Sequence, residues 1–294
     1  MNFTIVTASH NYGHYIGECL KSVALQEGAT FEHLVLDAGS SDDTSEVVRT
    51  FPHASFFQES DKGMSDGINK GFRRAKGDWV MWLNADDRLK PGALAEVRRF
   101  AQDHPDADVV YGGWDFINDS GMFIRRMNLF PFRRRMLLQY GCYIGSTACF
   151  YRRGTTIGQG LLLDDRFFYC MDGEYFARLA KHGKTFHYLP CILADFRLHE
   201  KSISQRHLRA TDIGGILSMQ KQIAEVRAIR RSYGWQFGGV RELEDLTDAI
   251  LQIYFRLECG FLKALHASST NLPALNAIPS SWKPPPRDGM VSRE

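Results

Sequence analysis

Two adjacent carboxylates, Asp86 and Asp87, close an uninterrupted apolar run from Trp79 to Leu83. Like charges held side by side repel, and a bound divalent cation is one way to relieve that repulsion. Aspartate is also a favoured turn and cap former, so either residue could instead start the helix that Pro91 opens. Asp37 and Asp61 likewise follow apolar runs, and Asp172 stands at the head of a helical stretch. No GxGxxG follows the first apolar run and no GxxxxGK[ST] occurs anywhere. That pattern argues against a dinucleotide oxidoreductase and a P-loop enzyme. A diphosphate bound among these carboxylates, without a glycine-rich cradle, would need a metal, and Asp86 with Asp87 could hold it.

The elements that must position these residues can be read from periodicity. Phe3–Thr7, His33–Leu36, Ala54–Gln58 and Trp79–Leu83 read as buried strands. Between them, helices are expected from about Tyr15 to Gln26, from Asp43 with Glu46 as its capping partner, and through Ile68 and Phe72. Strands alternating with helices at this spacing imply right-handed βαβ units and a parallel sheet. Every strand then delivers its C-terminal end to one edge, which gathers Thr7, Asp37, Asp61, Asp86 and Asp87. Four consecutive strands ending in polar or acidic residues at one edge suit a shared site better than four unrelated turns.

Beyond Gln102, Val109–Tyr111 is expected as a strand, Trp114–Asn118 and Met122–Met127 as a hairpin, and Tyr143–Tyr151 as a further strand. Met171–Ala180 reads as a helix ended by Gly183, with short strands Phe186–Leu189 and Ile192–Phe196 flanking Pro190. From about His207 the pattern turns helical, with Ile216, Met219, Ile223, Val226 and Ile229 on one helix and Leu243 through Leu265 on a second at near-heptad spacing. The tail after Ala267, with Pro284–Pro286, is expected to be irregular. A formal net charge of +2 gives no case for nucleic-acid binding. Arg133–Arg135 is a short basic run, ordinarily a solvated face and alternatively a phosphate contact. The opening residues do not read as a signal peptide, no apolar run nears the ~20 residues of a membrane span, and six scattered cysteines without zinc spacing suit a reducing, cytoplasmic setting.

Five stretches, taken in order, resemble a known family. They are Thr4–Thr7 followed by Asn11, Ser22–Gln26, Leu36–Thr44, Asp61–Gly71 and Leu83–Asp87. Together they are similar to the motifs of family 2 glycosyltransferases. The resemblance implies an α/β GT-A (Rossmann-like) domain with a mostly parallel central sheet over residues 1–204, split into a nucleotide-sugar half (1–104) and an acceptor half (105–204). A helical extension (205–266) and an irregular tail (267–294) would follow.

The activity so implied is an inverting transfer of a sugar from a nucleoside diphosphate donor, of uridine type, to a hydroxyl of a glycan or lipid-linked acceptor, with manganese or magnesium on the diphosphate. By position, Thr7, Ala8, Asn11, Asp37, Gly39, Asp61, Asn69, Lys70, Asn84, Ala85 and Asp86 would contact the donor. Asp86 and Asp87 match the DxD region, with Asn84 standing where a first aspartate is common, and His199 lies where some relatives place a metal or diphosphate contact. Asp172 matches the base at the start of the second carboxylate motif, with Glu174 as the second candidate; Arg178 reads as a surface or structural residue. The processive signature QxxRW is not found, which favours single additions. The C-terminal helices could pack on the main domain, pair two subunits, or lie on a membrane surface beside Arg227, Arg230, Arg231 and Arg256. A sugar nucleotidyltransferase and a non-catalytic sugar-nucleotide-binding protein are the competing readings.

Overall fold

The structure is a computed structural model, and it describes residues 1–127, 129–200, 202, 213–233, 254, 256–262 and 264. Its first half follows the βαβ rhythm: β1 (Asn2–Ser9), α1 (Gly13–Ala24), β2 (Thr30–Asp37), α2 (Thr44–Arg49), β3 (Ala54–Gln58), α3 (Met64–Arg74) and β4 (Trp79–Trp82). These strands pair in parallel in the order β3-β2-β1-β4. The order reverses between β1 and β4, and in an open α/β sheet the loops leaving two such strands diverge and leave a crevice. All four residues of β4 are buried, as an unbroken apolar run in a central strand requires. Trp82 stacks on Tyr151 with centroids 5.4 Å apart, and Phe72 and Tyr175 close around the pair.

Close approach to the sheet demands a small residue at Gly77, where a Cβ would lie 2.6 Å from the Phe3 and Thr4 backbone. Gly77→Ala is therefore expected to cost about 1–3 kcal/mol, through overpacking against a backbone that cannot yield. Urea unfolding measures it, and a loss within error of zero would show that the β1–β4 seam gives way.

Past β4 the sheet becomes mixed. The strands are β5 (Arg88–Leu89), β6 (Val109–Ile117), β7 (Phe123–Met127), β8 (Cys149–Arg152) and β9 (Phe186–Arg197), with α4 (Ala93–Asp103) and α5 (Met171–Lys181) between them. The order continues β4-β8-β6-β9-β5, with β7 on β6; β8 runs antiparallel to both its neighbours, while β6 and β9 are parallel. Several expected boundaries move here. Val109–Tyr111 and Trp114–Asn118 fuse into one strand, because β9 pairs along the whole of β6 and carries it across Gly112–Gly113 by a register shift. Pro190 does not divide β9, since proline is tolerated where a bulge already interrupts the ladder. Only the last part of Tyr143–Tyr151 is a strand. The start of α2 is held by Asp42, which accepts from the Thr44 N–H at 3.1 Å, whereas Asp43 makes no side-chain cap.

A final helix, α6 (Ile213–Tyr233), lies against α5. The expected second C-terminal helix falls largely outside the described residues, as does the tail. Of its described part, residues 256–262 are helical, with Leu262 buried and Leu257 and Phe261 exposed. Arg133–Arg135 are exposed. No described helix is long and apolar enough to cross a membrane.

Candidate active site

The ends of β1 and β4 and the loops that leave them line an open cleft, its other wall coming from the segment that enters α5. Ala8 contributes from the end of β1, Tyr12 from the loop after it, and Asn84, Ala85 and Asp86 from the loop after β4. Phe168, Tyr169, Met171 and Asp172 contribute from the α5 side. The sheet's switch point thus brings the β4 carboxylates and the α5 carboxylate, 86 residues apart in sequence, to one space.

Asp86 and Asp87 have different surroundings. Asp86 reaches the cleft, and its Oδ2 lies 2.8 Å from His199 Nε2. Asp87 turns inward: it is 1% exposed and accepts from Asn84 Nδ2 and from the Arg197 N–H, each at 2.9 Å. Burial, then the Asp86 charge beside it, pushes the Asp87 carboxyl well above the usual carboxylate range. Asn84, which also lines the cleft, orients Asp87 through its Nδ2.

His199 is 5% exposed, packed against Tyr15 at 4.6 Å between ring centroids, and its Nδ1 is buried with no hydrogen-bond partner among the described residues. Tyr15 donates to Asp119, and burial, then that bond, pushes its hydroxyl up to about 12. An acidic pair relieved by neutralisation, one carboxylate open to the cleft and an imidazole with an unused nitrogen beside it form a donor set that fits a divalent cation. Among the described residues no three carboxylate, imidazole or thiol side chains form a ready-made metal cluster. The protein would supply one or two ligands and a diphosphate the rest, which is how magnesium is usually held at phosphate sites.

The brace behind this loop is Arg197, which sequence reasoning missed. Its side chain is fully buried. It donates from Nε to the Asp86 carbonyl at 2.9 Å, from Nη1 to the Asp119 carbonyl at 2.7 Å, and from Nη2 to Glu18 at 2.5 Å. One guanidinium therefore ties the β4 loop, the β6–β7 turn and α1 together, a use of the fork that lysine cannot copy. The available signal was an arginine closing the expected strand Ile192–Phe196, two residues before His199.

Several residues expected to face the donor make hydrogen bonds within the scaffold. The buried Asp37 carboxylate accepts from the Gly39 and Ser40 N–H groups at 3.1 and 2.8 Å, closing a turn in which Gly39 takes a left-handed φ of 92°. Thr7 is buried with its hydroxyl 2.9 Å from His33 Nε2. Asn69 binds the Leu163 carbonyl and N–H, both at 2.9 Å, and so straps α3 to the chain ahead of α5. Lys70 donates to the Ser60 carbonyl and pairs with Asp66. Asp61 accepts from the Gly63 N–H at 2.9 Å beside the start of α3, and Asn11, exposed at a φ of 60°, accepts from the Ser41 N–H at 2.9 Å. Thr7, Asn11, Asp37 and Asp61 are short polar side chains of the kind turns and strand ends also use, so type and position alone do not separate the two roles.

On the other wall, Asp172 lines the cleft and accepts from the Gly173 N–H at 2.7 Å. Burial raises its carboxyl above the usual value. Glu174, the second candidate, is 0% exposed and turned away from the cleft; Arg178 grips it at 2.8 Å and the Tyr233 hydroxyl donates to it at 2.7 Å. Its role is to hold α5, and Arg178 is its structural counter-ion.

Comparison with known proteins agrees with this architecture. The family described as Glycosyl transferase family 2 matches residues 4–157, a span that ends before α5. A "PGL/p-HBAD biosynthesis glycosyltransferase" of Mycobacterium bovis (strain BCG / Pasteur 1173P2) is 34% identical over 164 residues, covering 53% of this chain and 62% of that protein. The chain thus spans somewhat under two thirds of the length of the curated relatives it matches first. Among solved structures, S. aureus TarS 1-349 in complex with UDP-GlcNAc superposes with a TM-score of 0.58 at 18% identity, covering 87% of this chain and 79% of that one. The mannosyltransferase PcManGT from Pyrobaculum calidifontis in complex with GDP-Man and Mn2+ gives 0.54 at 15%, covering 92% and 86%. At these identities the likeness shows the fold. With the family description met over residues 4–157 of 294, the chain belongs to glycosyl transferase family 2.

Proposed function

We propose that the protein transfers a sugar from a nucleoside diphosphate sugar to an acceptor hydroxyl with inversion, in the assembly of a cell-surface or lipid-linked glycan. The observation that carries this is the convergence of Asp86 and Asp172 on one cleft at the switch point of the sheet. A single displacement needs charge stabilisation for the departing diphosphate and one base for the incoming hydroxyl, and it needs them on the two sides of the sugar. Asp86, backed by His199, would hold manganese or magnesium. When bound, the ion supplies Lewis-acid stabilisation of the leaving diphosphate. Asp172 takes the acceptor proton; its half-buried carboxylate is a stronger base than an exposed one. Tyr12 and Ala8 border the donor side, and Arg197 keeps the Asp86 loop from shifting under the changing charge. A uridine-type donor is supported by the UDP-GlcNAc complex of TarS; the GDP-Man complex of PcManGT makes guanosine the comparison to include.

Thermal unfolding with UDP, GDP and their sugars, each with and without manganese, tests the reading. A ligand that binds only the folded state stabilises it with the logarithm of its excess over Kd, by about 2.7 kcal/mol at a hundredfold excess, and so raises the midpoint. A shift is expected for one nucleotide series, enlarged by manganese, and Asp86→Asn should remove the manganese-dependent part alone. No shift with any nucleotide would sink the proposal.

A further inference from the structure

The segment that forms the α5 wall of the cleft is tied down by a contact from far along the chain. Three consecutive backbone N–H groups, those of Phe168, Tyr169 and Cys170, immediately precede α5, and the helix's own N-terminal residue Cys170 makes no side-chain cap. The missing acceptor comes from far along the chain. Glu225 of α6 takes all three N–H bonds, at 3.0 Å on Oε1 and at 2.9 and 2.8 Å on Oε2. Charge-assisted bonds of this kind are the strong ones, and a carboxylate is the favourable charge at a helix N-terminus.

Two further features show what the clamp is for. First, α6 is already anchored to α5 without it: Tyr233, two turns beyond Glu225 on the same face, binds Glu174 at 2.7 Å, and Ile229 between them is buried. Second, the clamped segment is part of the site. Phe168, Tyr169, Met171 and Asp172 all line the cleft, and the Phe168 ring is 47% exposed beside Tyr169, at 4.9 Å between centroids. An exposed aromatic ring at the mouth of the cleft offers an apolar face for a sugar ring or an apolar aglycone.

We infer that Glu225 is a positioning residue for the acceptor: it fixes the Phe168–Cys170 segment as an aromatic acceptor platform next to the base Asp172, so that α6, outside the span matched to the family, takes part in acceptor recognition. The inference rests on the transferase reading above and extends it to the acceptor. Misplacing a bound group by ~1 Å can cost up to about a hundredfold in rate, so a loosened platform should register on the acceptor and leave the donor site as it was.

The test compares the parent protein, Glu225→Gln and Phe168→Ala in full-length form. UDP-glucose and UDP-GlcNAc serve as donors, with a panel of p-nitrophenyl and octyl glycosides as acceptors. Three quantities are read: acceptor kcat/KM, acceptor-independent hydrolysis of the donor, and hydrogen exchange of the amides at 168–170. In Glu225→Gln, acceptor kcat/KM is expected to fall about tenfold or more, mainly through KM, with donor hydrolysis within about twofold of the parent and faster exchange at the three amides. Phe168→Ala, which removes an exposed ring and should fold normally, is expected to raise the acceptor KM in the same way and so carries the test if Glu225→Gln proves unstable. Unchanged acceptor dependence in both variants, or donor hydrolysis falling in step with transfer, overturns the positioning role. A parent protein that neither hydrolyses nor transfers from any nucleotide sugar overturns the transferase reading itself, and this inference with it.

Discussion

Asp172→Asn should lower sugar transfer by about 10²–10⁴-fold, the usual contribution of a positioned general base. Nucleotide binding, measured by thermal shift or calorimetry, should stay as in the parent, because the proposed donor contacts lie at the ends of β1 and β4. The raised carboxyl of Asp172 adds a pH signature. Below its folded pKa the base is protonated and transfer is lost, so the acid limb of kcat/KM should lie above the ordinary aspartate value of about 3.9 and vanish in the variant. Stability runs the opposite way. A carboxyl whose folded pKa is raised favours the folded state fully only below its unfolded pKa, and that contribution is lost as pH rises through the folded pKa. At neutral pH Asp172→Asn should therefore melt no lower than the parent. A variant that is both fully active and less stable would return Asp172 to the status of an ordinary helix-start residue.

The largest effect on stability is expected at Arg197. Arg197→Met removes the one cation that joins Glu18, the Asp86 carbonyl and the Asp119 carbonyl in a fully buried position. Glu18 is 47% exposed and keeps Arg88 at 3.0 Å, so the cost falls on the two carbonyls that lose their donor, at about 1–3 kcal/mol each, and urea unfolding should show a loss of about 2–5 kcal/mol. Arg197→Lys should recover little of it, because an ammonium on a single stem cannot reach three separated acceptors. Manganese-dependent nucleotide binding should weaken in the same variants, since the Asp86 loop loses its brace. A variant that keeps parental stability but loses the metal effect would move Arg197 from the scaffold to the ligand.

The two residues illustrate what could be read in advance. Asp172 could be nominated in advance because the stretch Met171 to Ala180 resembles a family motif, although a carboxylate at a helix start suits ordinary capping equally well. Arg197 was hidden because its partners come from α1, from the β4 loop and from the β6–β7 turn, and nothing near it in sequence names them. Glu225 was hidden for the same reason, its three donors lying 55 to 57 residues away.

What the sequence by itself determined is the parallel nucleotide half. Its strands are short apolar runs, each bounded by a turn and a helix, and hydrophobic periodicity with the handedness of βαβ crossovers leaves little choice about which edge collects their ends. Only the tertiary structure decided how the residues at that edge divide their work. Asp86 and Asp87 are chemically identical neighbours, and burial together with the contacts of Arg197 and Asn84 sends one to the cleft and the other to the scaffold. Asp37, Asp61 and Asn69 likewise have the right chemistry for a ligand, yet their polar groups are used by nearby backbone N–H and C=O groups that must be satisfied once buried. Local sequence specifies where a carboxylate can be; the long-range packing around it determines whether its charge is free to act.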